Sequence, residues 1–310
     1  MAAQTKVVAT GAVATLKSDS SKTDSLLRTA LRRIRRDKLT LMAIGLLLTL
    51  STLSLLAPVI TDVLNVSYTQ PDSLRLFLPI GNASHPLGTD HLGRDLLARL
   101  LYGGRVSLGI GFAGAISATL IGVTIGLIAG YYQGGRYRFI DDAVMWFVTT
   151  LNSLPTLMLL ILIASVLTPT IPTLIFVLTM VSWTGTMRLI RGETLSKREN
   201  EYVISARAMG AGSMRIMFVH ILPNTLSVLM TALAIGVGTL ILTESALSFL
   251  GLGVRPPEPS WGNMLTGAQA HFRQAAHLSI LPGLLIALTV LSLFLIGDGL
   301  RDAFDPTSRK

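Results

Sequence analysis

The sequence predicts an all-α polytopic membrane protein with six transmembrane helices. Composition is the first reason: half of the 310 residues are hydrophobic, only 14% are charged, and the mean hydropathy is +0.60, too apolar for a globule that folds in water. The second is the presence of six stretches near the length of about 20 apolar residues that crossing the hydrocarbon requires. The third is the placement of charge. A net charge of +9 raises the thought of nucleic acid, but the basic residues flank apolar runs instead of forming a basic face, so membrane orientation accounts for them and no nucleic-acid partner is expected. With no cysteine in the chain, disulfide staples, thiol catalysis and cysteine metal sites are excluded.

Taken in order, residues 1–24 are rich in Ser, Thr, Ala and Lys without apolar periodicity and read as a disordered cytoplasmic tail. The first apolar run starts near Leu39, too late for a signal peptide, so this end is expected to be retained. Residues 25–38 place Leu26, Leu27, Leu31 and Ile34 at near-helical spacing among Arg28, Arg32, Arg33, Arg35 and Arg36. That pattern suits a basic amphipathic helix on the inner membrane surface, or else a plain basic flank that enforces topology.

The six apolar stretches are 39–60, 106–131, 143–167, 172–190, 226–250 and 280–297. They divide the chain into a first transmembrane helix (39–62), an external loop (63–104), a five-helix core (105–300) containing a cytoplasmic loop at about 191–222, and a C-terminal tail (301–310). Of the 26 Lys and Arg, nine fall in 1–38, two in 131–142, six in 188–225 and three in 298–310; the intervening segments hold only Arg75, Arg94, Arg99, Arg105, Arg255 and Arg273. Cytoplasmic segments retain positive charge, so both termini are expected inside.

The second stretch carries Gly122, Gly126 and Gly130 in an unbroken GxxxGxxxG register, a face that lets another helix approach closely. Residues 109–114 read GIGFAG, formally a dinucleotide fingerprint, but no strand precedes them. Residues 88–95 have Walker A glycine spacing, yet Arg94 and Asp95 stand where the phosphate-binding Lys and the magnesium-binding Ser or Thr belong. No other P-loop occurs, so no ATP or magnesium is expected on this chain and any ATP hydrolysis belongs to a separate polypeptide.

Asn152, Ser153 and Pro155 interrupt the third stretch, while Ser182, Thr184 and Thr186 surround Trp183 in the fourth. Such groups either line a solute path or hydrogen-bond between helices. Glu244, followed by Ser245, lies toward the outer end of the fifth, where an unpaired carboxylate is costly. It is either functional or paired, or the span ends earlier and water reaches it. His85 and His91 lack a third ligand at suitable spacing, so no metal is expected.

The loop "RGETLSKRENEYVISARAMGAGSMRIMFVHILPN" is amphipathic at its centre. Val203, Ala206, Met209 and Gly210 fall on or near one face, Arg207 projects elsewhere, and Gly210 with Gly212 ends one short helix before the chain turns at "SMRIMF". A short helix presented on a loop suits insertion into a partner's groove.

Here the chain resembles the permease subunits of binding-protein-dependent ABC importers. Their cytoplasmic pattern reads E-A-A, three residues, Gly, nine residues, I-x-L-P; it matches Ala206, Gly210, Leu222 and Pro223 and departs at Ile204, Ser205 and His220. Glu201 and Tyr202 resemble the acidic start found in the peptide-importer branch. Segments 85–111, 244–265 and 295–306 are similar to the C-type subunit of oligopeptide and dipeptide permeases.

The resemblance implies a type I importer permease fold, with a coupling helix carried by Glu201, Tyr202, Ala206, Arg207, Met209, Gly210, Arg215 and Pro223. It implies a second homologous permease, two ATP-binding subunits that hold ATP and magnesium, and an external solute-binding protein, in a prokaryotic inner membrane. The loop 253–263, stiffened by Pro256, Pro257 and Pro259, is then either a platform for that binding protein or turn structure alone. Asn152, Ser153, Thr184, Glu244 and Ser245 become candidates for the translocation path. A self-contained secondary transporter or an intramembrane enzyme would show internal repeats, several buried ionisable groups, HExxH or GxSxG, and the sequence has none of these.

Overall fold

The computed structural model describes residues 26–304. The expected tail 1–24 and the last residues of the segment 301–310 lie outside the described residues. Among the described residues the regular secondary structure is helical apart from one isolated bridge between Thr89 and Asp95, with residues 65–95 and 250–260 in loops and turns.

Helix α1 (Leu26–Ile34) is short and sits against the end of the C-terminal helix, where Arg33 Nη1 donates to the carbonyls of Asp302 and Ala303 at 3.4 Å. Ala30 is buried there, while Leu31 is exposed. Helix α2 (Lys38–Leu55) starts on an Asp37 cap that accepts from Leu39 N at 3.0 Å and from the Thr40 hydroxyl. These bonds to the ionised form hold the Asp37 carboxyl below its usual value. Most of α2 is uncovered by the rest of the chain, as suits a helix that faces lipid. It breaks at Leu56 ahead of Pro58, and α3 (Ala57–Leu64) carries the chain onward to Asn65 in the left-handed conformation.

The central element is α4 (Leu96–Tyr132), 37 residues long and about 55 Å from end to end. Its first turns extend the helix back into the segment expected as external loop, because Asp95 caps it by accepting from Ala98 N at 2.7 Å. Helix α7 (Ile171–Lys197) packs along α4 more extensively than any other element does, and the glycine ladder is the reason. A Cβ on Gly122, Gly126 or Gly130 would come within 2.7 to 2.8 Å of the Trp183, Met187 or Arg191 carbonyl oxygen. Backbone therefore meets backbone at three successive turns.

Gly126→Val is expected to force α4 and α7 apart, whereas Gly109→Ala, with nothing within 4 Å of the added carbon, is expected to be neutral. Overpacking a core costs about 1–3 kcal/mol, and a rigid carbonyl as neighbour puts Gly126→Val at or above the top of that range. The yield of monodisperse protein in detergent reads the difference, and equal yields would show that the ladder does not set the packing.

The third apolar stretch is not one straight helix. Helices α5 (Arg138–Asn152) and α6 (Thr156–Val166) meet at 83° across residues 153–155. Pro155 offers no N–H and disfavours helical backbone at Leu154, which explains the break. Among the described residues five helices are long and apolar enough to cross a membrane, and the bent pair taken as one span makes six. After α7 come α8 (Glu201–Ala208) and α9 (Ser213–Phe249), which contains a π-helical segment at Ile216–Ile221. Pro223 follows that segment and can give no N–H to the carbonyls behind it, and the Leu222 amide reaches back five residues to Met217. Helix α10 (Trp261–Ala268) and the C-terminal α11 (His277–Phe304) complete the fold.

The main apolar core joins α4, α6, α7, α9, α10 and α11. A second cluster lies at the other end of the molecule, where Val203 of α8 packs with Val123, Leu127, Ile190, Ile216, Met217 and Ile221.

Candidate coupling surface and translocation wall

Helix α8 is seated by two residues, Val203 and Ala206, both almost completely buried. Its C-terminus closes with paired backbone bonds: Gly210 N donates to Arg207 O and Ala211 N to Ala206 O, each at 3.0 Å. This is a Schellman closure, and it places Gly210 at φ +85°. Tyr202, Ile204, Ser205 and Met209 face outward.

Of the expected face of Val203, Ala206, Met209 and Gly210, the first two are buried and the last two are exposed beyond the end of α8. Met209 is 82% exposed because it is the C-cap, where the chain already leaves the helical path. Glu201 is exposed in the first turn, Arg207 lies 5.9 Å from the centre of the Tyr131 ring, and Arg215 and Pro223 are exposed near the start of α9.

Two cationic contacts tie this end to the helix core. Arg198, the cap of α7, donates from Nη1 to the carbonyls of Gln133 at 2.5 Å, Gly130 at 3.1 Å and Tyr131 at 3.4 Å, so a positive charge closes the carbonyl end of α4. Arg191 pairs in fork geometry with Asp141, Nε to Oδ1 at 2.5 Å and Nη2 to Oδ2 at 2.7 Å, joining α7 to α5. Both contacts span more than 45 residues of sequence, and no local spacing announces them.

A cavity of about 770 Å³ runs along one side of α4, α7 and α9 to the end of α11. Its polar wall includes Thr119, Ser182, Thr186, Ser227, Thr231 and Thr239, with Glu193 and Arg301 toward the α8 end. Ser182 and Thr186 were legible as polar neighbours of Trp183. Asn152, Ser153, Thr184, Glu244 and Ser245 do not line this cavity. Thr184 is buried and its hydroxyl points to Asn152 Oδ1 at 3.4 Å and to the Val181 carbonyl at 3.5 Å, while Ser153 is exposed at the α5–α6 bend.

Glu244 is wholly buried. Ser248 Oγ donates to its Oε1 at 2.7 Å and Ser107 Oγ to its Oε2 at 3.1 Å, with Ser245 Oγ at 3.5 Å. The two closer serines also accept backbone amides, Ser248 from Val254 at 3.1 Å and Ser107 from Trp261 at 3.2 Å. Glu244 is therefore the hub that fastens α9 to α4 and to the start of α10, the pairing alternative and not the solvated one.

Residues 122–310 match the family model described as "Binding-protein-dependent transport system inner membrane component". The chain belongs to this family. It is 37% identical over 279 residues, 90% of this chain and 89% of the relative, to the dipeptide transport system permease protein DppC of Alkalihalophilus pseudofirmus. It is 34% identical over 94% of its length to the oligopeptide transport system permease protein OppC of Bacillus subtilis, of which it covers 93%. It is 40% identical to the glutathione transport system permease protein GsiD of Pectobacterium atrosepticum over 73% of each chain.

Among solved structures, inward-facing conformations of the MetNI methionine ABC transporter share the fold at a TM-score of 0.54 and 21% identity, covering 67% of this chain and 96% of that one. As a member of this family the chain is a multi-pass membrane transport component.

His85 and His91 do not converge. His85 Nδ1 bonds Asp95 Oδ2 at 2.8 Å, and the His91 ring lies 5.6 Å from that of His271. Among the described residues no group of three potential metal ligands occurs. In the loop 253–263, Asn263 Nδ2 donates to the carbonyls of Val254 at 3.0 Å and Glu258 at 2.8 Å, so the loop is braced from within.

Proposed function

We propose that this chain is one of two membrane-spanning subunits of an ATP-driven importer for di- or oligopeptides, and that it contributes half of the translocation wall. The observation that carries the reading is α8: a short helix closed at Gly210, seated on the core by Val203 and Ala206, with Tyr202, Ile204 and Met209 left facing outward. A rigidly seated helix with an apolar exposed face transmits a push from a docked ATPase into α4, α7 and α9. ATP and magnesium stay on that partner, and the chain supplies no catalytic group. The 770 Å³ cavity is the wall that a second permease closes across from this one, an external solute-binding protein delivers cargo, and both termini are cytoplasmic.

Names of the relatives favour peptides, and the GsiD relative supports glutathione, itself a peptide, as a second cargo reading within the same role. The test is purification of the tagged chain from native membranes in mild detergent, with mass spectrometry and an ATPase assay. Recovery of a second permease and P-loop ATPases, with hydrolysis stimulated by a binding protein, is expected. A lone chain that transports in liposomes without ATP would overturn the reading.

A further inference from the structure

The end of the molecule opposite α8, about 55 Å away along α4, holds a second arrangement of charge that the transport reading leaves unused. Asp90 is buried and saturated as an acceptor. Its Oδ1 accepts from the amides of Leu92 at 2.9 Å and Arg94 at 3.0 Å, and its Oδ2 accepts from Arg94 Nε at 2.8 Å, with Arg99 Nε at 3.4 Å. Burial alone would raise this carboxyl, but the Arg94 hydrogen bond and the two guanidinium charges outweigh it and hold it below its usual value.

One carboxylate thus serves two guanidiniums whose side chains are only 9% and 8% exposed. A buried cation needs a counter-charge, and here one positive charge is in excess. Arg99 Nη1 is also buried without a hydrogen-bond partner among the described residues. His91 adds no charge at neutral pH, since burial pushes its ring below the usual value.

Both guanidiniums and His91 line a cavity of about 290 Å³. Its rim carries Arg255 and Pro256, which are exposed, and the rest of its lining sets apolar Leu96, Met264 and Leu278 beside Asp90, Ser248, Asn263 and Thr266. The one excess buried charge, with the water-screened Arg255 at the rim, matches a monoanion, a guanidinium fork matches a carboxylate, and the apolar part of the wall suits a short hydrocarbon more than a hydrated inorganic ion.

We propose that this cavity binds a small monocarboxylate, its charge taken up by Arg99 and Arg255 and its apolar part by Leu96, Met264 and Leu278. The inference does not depend on the transport reading. The carboxylate is either a free short-chain acid or the C-terminus of a small peptide.

The test uses the full-length chain in detergent together with whatever subunits accompany it, and the line width of carboxyl-labelled acetate as the probe. Saturable acetate binding is expected, lost in Arg99→Met and roughly tenfold weaker in Arg255→Ala. Displacement of acetate by alanyl-alanine but not by its C-terminal amide supports the peptide source, and displacement by neither supports the free acid. Absence of saturable binding, an Arg99→Met chain that binds like the original, or an amide that competes as well as the acid overturns the proposal. Should Arg99→Met fail to fold, Arg255→Ala decides, because its side chain is exposed: unchanged acetate affinity there overturns the site.

Discussion

A chain carrying Glu244→Lys is expected not to accumulate as folded protein, whereas Glu244→Gln is expected to assemble with a loss of about 1–3 kcal/mol. The difference follows from which way the protons point. Ser248 and Ser107 each accept a backbone amide with an Oγ lone pair, which leaves the hydroxyl proton for Glu244. Glutamine keeps the volume and one acceptor, so one serine retains its partner and the other must turn. Lysine brings only donors into a site that supplies donors, and it brings a charge where no anion remains; removing one side of a buried charged network costs about 3–5 kcal/mol, and reversing its sign costs more. The effect is structural first, since the hub joins α9 to α4 and to the Trp261 end of α10, whose indole Nε1 is bonded to the Leu100 carbonyl at 2.9 Å. Detergent size-exclusion profiles of the tagged chains measure it. Wild-type profiles for both variants would mean that Glu244 is solvated and the hub is not holding the helices.

What the sequence could say about this molecule depended on the range of the interaction involved. Helix identity and the existence of a short helix in the 191–222 loop are local properties, set by apolar runs, by the Gly210 stop and by the small residues at 206 and 210, and they were legible. The GxxxGxxxG ladder announced a close helix contact but not its partner, because the answer, α7, is encoded in Trp183, Met187 and Arg191 carbonyls that any residue would supply. Polar residues on apolar helices were the hardest to assign. Thr184 and Thr186 are two residues apart and look alike in sequence, yet one is buried toward Asn152 and the other lines the large cavity. A rotation of about 200° between them, set by helical geometry, decides the role, and only the packing of α4 and α9 around α7 fixes which side faces which neighbour. The long-range pairs Arg198 with the α4 carbonyls and Arg191 with Asp141 carry no local signal at all.

Substitutions at Gly210 are expected to rank by backbone conformation and not by size, with Asn milder than Ala, and Pro abolishing coupled uptake while the chain still inserts and folds. Nothing lies within 4 Å of a Cβ built at this position, so bulk has room and carries little cost. The cost resides in φ of +85°. Ala in that region loses about 1–2 kcal/mol, which is enough to shift the closed loop end by roughly tenfold; Asn tolerates the left-handed region better. Proline cannot reach a positive φ and also deletes the Gly210 N–H bond to Arg207 O, so the closure fails twice over. Once it fails, Ala211 no longer returns to Ala206, and the link from α8 into α9 through the π-helical segment loses its fixed angle. The core helices do not depend on this turn, so ATP hydrolysis should continue without uptake in the assembled transporter. Uptake and hydrolysis measured together in proteoliposomes for Gly210→Asn, Gly210→Ala and Gly210→Pro give the ranking. Full coupled uptake with proline would show that α8 moves its partners without needing this closure, and a ranking by side-chain volume would point instead to a docked surface pressing on Gly210.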